Sequence, residues 1–134
     1  MRSNNTCLCS LAILLATGSL VCTGAWAVDP KTLPAKAPNW AAAGAGASYN
    51  SAGGSSAKPV GTVVLNSNAT VLNWNTFNIG KDATLQFQMP SSTSRVLNNV
   101  TGGAPTPTQI NGILNANGQV YIYDPRGIVF GKGS

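Results

Sequence analysis

The chain has 134 residues and a formal net charge of +5, and only 8% of its residues are charged, against roughly 25% in ordinary globular proteins. It has neither histidine nor glutamate, so its side-chain carboxylates are Asp29, Asp82 and Asp124. A histidine-based triad, a histidine-bearing zinc site and a paired-glutamate glycosidase site cannot be assembled from these residues, and the length allows one domain at most. Binding or structure is favoured over catalysis, and no catalytic, cofactor-binding or metal-ligating set is expected. The pI near 9.5 raises the question of nucleic acid. Lys31, Lys36, Lys58, Lys81, Arg95, Arg126 and Lys132 are scattered, however, and make none of the clustering that an electrostatic footprint needs.

Residues 1–27 read as an export signal. Arg2 gives a positive start, Leu11 to Val21 is an apolar run, and the small residues Ala25 and Ala27 flank Trp26 at a cleavage point placed after Ala27. The apolar run is shorter than the roughly 20 residues that cross a bilayer. A lipoprotein signal would need a small residue before the modified cysteine, and Cys22 follows Val21. Cys7, Cys9 and Cys22 all fall inside the signal, so the mature chain from Val28 has no disulfide framework. A chain that must thread a second membrane unfolded would be obstructed by such bridges, which is one physical reason for their absence.

Residues 28–59 hold four prolines and the Ala/Gly/Ser-rich stretch Ala41 to Ala57, and are expected to be a flexible, low-complexity leader. The Gly44-Ala45-Gly46 triplet lacks the third glycine and preceding strand of a dinucleotide loop. From Val60 the texture changes to short β-branched and aromatic runs: Val60 to Leu65, Thr70 to Trp74, Thr76 to Ile79, Thr84 to Gln88, Arg95 to Val100, Gln119 to Tyr123 and Ile128 to Phe130. Gln109 to Ala116 is ambiguous between strand and a helical turn. Turn signals separate the runs, and ten asparagines lie between Asn66 and Asn117, a residue that tolerates tight corners. Leu85 and Phe87 alternate with Thr84, Gln86 and Gln88, so one face is buried. Periodicity leaves two architectures open, a small β-sandwich and a parallel β-helix.

Four ordered blocks then carry a resemblance. Leu72 to Gly80 (LNWNTFNIG), Val96 to Gly103 (VLNNVTGG), Ile110 to Tyr123 (INGILNANGQVYIY) and Asp124 to Gly133 (DPRGIVFGKG) resemble, in sequence order, the motifs of the two-partner-secretion, or haemagglutination-activity, domain of filamentous haemagglutinin-like exoproteins. The resemblance implies an all-β, right-handed parallel β-helix, here its N-terminal cap and first coils over residues 60–134. It also implies a non-enzymatic export signal read by a cognate outer-membrane β-barrel transporter of the TpsB type, a relative of the Omp85 class. The inner-membrane export machinery would act first, and the rest of such a chain serves as adhesin, haemolysin or toxin, reaching a host-cell or glycan target through downstream regions. The product would be secreted or held at the bacterial cell surface, with no nucleic-acid partner.

The residues matched to the family motifs, and hence assigned to transporter recognition, are Asn73, Trp74, Phe77, Asn78, Gly80, Asn98, Thr101, Gly102, Asn117, Gly118, Asp124, Pro125, Arg126 and Gly127. The family's Asn-Pro-Asn-Gly turn departs at Asp124 and Arg126; Asp124 still accepts local backbone bonds, and Arg126 is read as a solvated turn residue. Trp74, Phe77, Phe87 and Phe130 are expected to fill the coil interior or its caps. Tyr121 and Tyr123 are candidates for stacking on carbohydrate if their face is exposed. Asn68-Ala69-Thr70 and Asn99-Val100-Thr101 match a glycosylation acceptor pattern. Because family domains run longer, a truncated fragment with an unpaired, aggregation-prone last rung is expected. A freestanding surface-binding protein and a β-helix polysaccharide-active enzyme are the alternatives, the latter lacking the acid cluster it would need.

Overall fold

A computed structural model describes residues 27–134 of the chain; the expected export signal up to residue 26, including Ala25, lies outside the described residues. Ten strands follow in order: β1 (Ala35–Ala41), β2 (Ala47–Gly54), β3 (Pro59–Leu65), β4 (Ala69–Thr76), β5 (Thr84–Gln88), β6 (Arg95–Val100), β7 (Thr108–Ile110), β8 (Ile113–Ala116), β9 (Gln119–Tyr123) and β10 (Ile128–Phe130). Among the described residues there is no helix.

Strand pairing decides between the two architectures. β3, β5 and β8 pair in parallel on one face, β4, β6 and β9 on a second, and β7 and β10 on a third, where Ile79 adds a parallel bridge to Ile110. The chain therefore passes over the same three faces three times, as β3–β4–Ile79, then β5–β6–β7, then β8–β9–β10. Parallel neighbours cannot be joined by tight hairpins. Here the connection is a full coil, and the fold is a parallel β-helix.

The register stacks inward-facing positions on inward-facing positions from coil to coil. Val63 pairs with Phe87 and Phe87 with Ala116; Leu72 pairs with Asn98 and Asn98 with Ile122. Val63, Leu72, Trp74, Phe77, Ile79, Leu85, Phe87, Val96 and Ile110 are almost wholly enclosed and form one core along the axis. The alternation that buries Leu85 and Phe87 thus continues from coil to coil. Phe130 departs from the expected filling role: it stacks beneath Ile110 on the last coil and stays 66% exposed.

The stretch expected to be a flexible leader is the other correction. β1 pairs antiparallel with β4, and β2 pairs antiparallel with β3, so both close the first coil from above. The glycines mark corners there instead of mobility: Gly44 and Gly46, at φ 80 and 65, turn the chain from β1 to β2. Neither strand is rich in β-formers. Both are held by the free edges of β3 and β4 and by Trp40 and Tyr49, whose rings meet Trp74 edge-on at 5.6 and 5.1 Å. The Tyr49 hydroxyl also donates to the Pro34 carbonyl at 2.9 Å. Further along, Gln109 to Ala116 resolves into two strands around a bend, and Thr76 ends β4, leaving Ile79 as a single bridge.

Candidate transporter-recognition site

The first motif block spans β4 and the corner after it. Trp74 and Phe77 point inward, both fully buried, with ring centroids 5.3 Å apart in an edge-on arrangement. The Trp74 indole N–H donates to Asn98 Oδ1 at 2.9 Å, and Asn98 Nδ2 donates on to the Tyr121 carbonyl at 3.1 Å. One buried amide thus ties three successive coils together. Asn73 faces outward, donates to the Asn39 carbonyl at 3.0 Å and accepts from Asn99 Nδ2 at 3.1 Å, joining the cap to two coils. Asn78 accepts the Gln109 N–H at 2.8 Å and so fixes the corner against β7. Gly80 is buried beside it, its N–H donating to the Thr32 carbonyl at 2.9 Å.

The later blocks repeat the arrangement. The Thr101 N–H donates to the Trp74 carbonyl at 2.8 Å. Gly102 lies so close to the Asn75 carbonyl that any Cβ there would collide with it. Asn117 accepts the Met89 N–H at 2.7 Å and donates to the Met89 carbonyl at 2.8 Å, copying a β-ladder step with a side chain. Gly118, next to it, faces the Ser94 carbonyl, which a Cβ would approach to 2.7 Å.

In the Asp124-Pro125-Arg126-Gly127 turn, the Gly127 N–H closes onto the Asp124 carbonyl at 2.9 Å, with Gly127 at φ 101. Asp124 is buried. Its Oδ2 accepts from the Thr108 hydroxyl at 2.7 Å and the Thr108 N–H at 3.2 Å; its Oδ1 accepts from the Arg126 N–H at 2.9 Å and Arg126 Nε at 2.8 Å. Burial alone would push the Asp124 carboxyl up, but the Arg126 and Thr108 hydrogen bonds and the nearby guanidinium charge outweigh it and hold the group below the ordinary value of 3.8. Arg126 is not the solvated turn residue expected from sequence. Its side chain is largely covered, and its guanidinium donates to the Gly102 carbonyl at 2.8 Å and to the Ala104 carbonyl, clamping the loop of the preceding coil. Pro125, exposed like Gly127, has no side-chain role beyond fixing φ.

The assigned residues therefore do not converge on one exposed patch. They are distributed over the coil-to-coil joints, where side chains substitute for backbone ladder bonds at corners. Sequence reasoning missed Thr108 and Ser94, both buried and polar, which anchor Asp124 and, through Ser94 Oγ to Asn68 Oδ1 at 3.0 Å, the β5–β6 corner. It also missed the cap pair Trp40 and Tyr49. Among the described residues no cluster of three or more metal-binding side chains occurs.

Comparison with known proteins agrees with this geometry. A model of the TPS secretion domain matches residues 41–134, a span that opens inside the antiparallel cap. The chain is 38% identical over 65 residues to a heme/hemopexin-binding protein of Haemophilus influenzae strain Rd, covering 48% of this chain and 7% of that protein. A second Haemophilus influenzae heme/hemopexin-binding protein is 33% identical over 73 residues, covering 54% of this chain and 8% of that protein. The crystal structure of the HMW1 secretion domain from Haemophilus influenzae superposes with a TM-score of 0.55 at 30% identity, over 64% of this chain and 21% of that one. The chain thus spans less than a tenth of the curated relatives it matches, and these relatives are secretion-domain and binding proteins, not enzymes. With the β-helix, its cap and the family match in place, the chain belongs to the TPS secretion-domain family, whose members are exported across the outer membrane with a transporter partner.

Proposed function

We propose that this chain is the N-terminal secretion module of an exported surface or secreted adhesin of the haemagglutinin kind. A cognate TpsB-type β-barrel carries it across the outer membrane after the inner-membrane machinery has removed residues 1–27. The observation that carries the reading is the family match over residues 41–134 on a β-helix in which most of the motif residues bind one coil to the next. That placement favours a role for the motifs in folding after passage: an unfolded chain emerging outside the cell needs corners that set the register coil by coil. The module itself is non-catalytic. Asp124 is enclosed in its ion pair, Asp82 pairs with Lys81 at 3.2 Å, and Asp29 accepts the Lys31 N–H, so no two carboxylates face a common cleft.

The test is expression of the protein with and without the TpsB-type transporter encoded in the same genome. Extracellular protein beginning at Val28 is expected only when the transporter is present. Protein that stays in the periplasm despite the transporter, or reaches the medium without it, overturns the reading.

A further inference from the structure

The outer face of the β4–β6–β9 sheet carries a row that the secretion reading leaves unused. Val71, Leu97 and Tyr121 stack in register across three coils and are 53%, 39% and 53% exposed. The corresponding row on the outer face of β3, β5 and β8 is Thr62, Gln86 and Asn115, which is polar throughout. Solvation explains the second row and not the first. The apolar row borders a cleft of about 230 Å³, open on one side, with Arg95 on its rim. The Arg95 guanidinium makes no ion pair among the described residues, and none of the three carboxylates lies in the rows of this face. Amides stand on either side. Asn99 uses its Nδ2 on Asn73, and Gln119 accepts the Tyr121 hydroxyl at 3.1 Å through Oε1, which leaves the Asn99 oxygen and the Gln119 NH₂ facing outward.

We propose that this cleft binds an acidic polysaccharide in which a hexuronate alternates with an N-acetylhexosamine. An aromatic face beside aliphatic side chains fits the C–H face of a pyranose and the methyl of an acetamido group. The unpaired guanidinium fits a carboxylate in the neighbouring sugar, and a rim with a cation and no acid selects a polyanion over a polycation. Outward amides supply the donor and acceptor for ring hydroxyls. The open side lets the polysaccharide continue past the cleft, along the direction in which the coils stack.

The experiment is saturation-transfer NMR and calorimetry of the protein with a hyaluronan tetrasaccharide, against uncharged chitotetraose of the same length. Saturation centred on the acetamido methyl and a Kd of about 1 mM or tighter are expected, with chitotetraose weaker by about tenfold. Tyr121→Ala should weaken hyaluronan binding by about tenfold or more, and Arg95→Gln should bring it down to the level of chitotetraose. Both residues are exposed, and unchanged thermal midpoints keep the comparison clean. No saturation at millimolar ligand overturns the proposal. So does equal binding of the two oligosaccharides with no effect of Arg95→Gln. If the substitutions leave glycan binding absent throughout but reduce export through the transporter, the row is a protein-docking face and the proposal fails.

Discussion

Asp124 and Arg126 replace the two asparagines of the family's Asn-Pro-Asn-Gly turn, and they do so as a pair whose atoms meet at 2.8 Å. Either change alone would leave a charge in a covered corner; together they exchange a neutral clasp for an ionic one. Because the folded Asp124 carboxyl titrates below its ordinary value, its stabilisation is complete above about pH 4 to 5 and is lost as pH falls through the folded value. Asp124→Asn should cost about 1–2 kcal/mol at neutral pH and flatten the acid limb of stability. The Asp124→Asn, Arg126→Asn double substitution should recover part of that loss, and urea denaturation across pH measures both effects. Asn98 offers a second test. An apolar residue of similar size would fit between Leu72 and Ile122, yet Asn98→Leu leaves the buried Trp74 N–H unpaired and should destabilise by about 1–3 kcal/mol in the same assay.

At the scale of elements, the cap governs the first coil. Burial pushes the Tyr49 phenol up to about 12 from 10.0, so the folded state holds a proton that the unfolded chain gives up. Stability contributed by the neutral Tyr49 is present below pH 10 and is lost as pH rises through about 12; Tyr49→Phe should remove that alkaline decline, followed by circular dichroism during base titration. These two strands were also the least legible part of the sequence. β5, β6, β9 and β10 announce themselves by β-branched and aromatic runs between turn residues, and their bounds follow from local chemistry. β1 and β2 are Ala, Gly, Ser and Asn segments whose strand character comes from pairing partners far along the chain. The place of Arg126 is hidden from the sequence for the same reason. Nothing within a few residues of it reveals that Gly102 and Ala104 present carbonyls to it from the coil before. By contrast, the inward place of Trp74 and Phe77 is legible in the sequence, because an aromatic pair in a β-patterned run has few places to go but inward.

For the molecule as a whole, protection should grade along the axis. β3, β4, β5 and β6 are paired on both edges, whereas β8, β9 and β10 are each paired on one edge only. Hydrogen exchange should therefore be slowest in β3 to β6 and fastest in the third coil, and uniform exchange along the chain would contradict this. The register has a kinetic corollary. Val60 meets Thr84, Thr84 meets Ile113, Ala69 meets Arg95, Arg95 meets Gln119 and Thr108 meets Ile128, so each rung closes a loop of about 20–30 residues, wherever it lies on the axis. Each added coil repeats the same search over the same distance, and relative contact order falls as coils accumulate. The slow event is thereby confined to the first rung and its cap, after which a chain of this design lengthens its fold at constant pace.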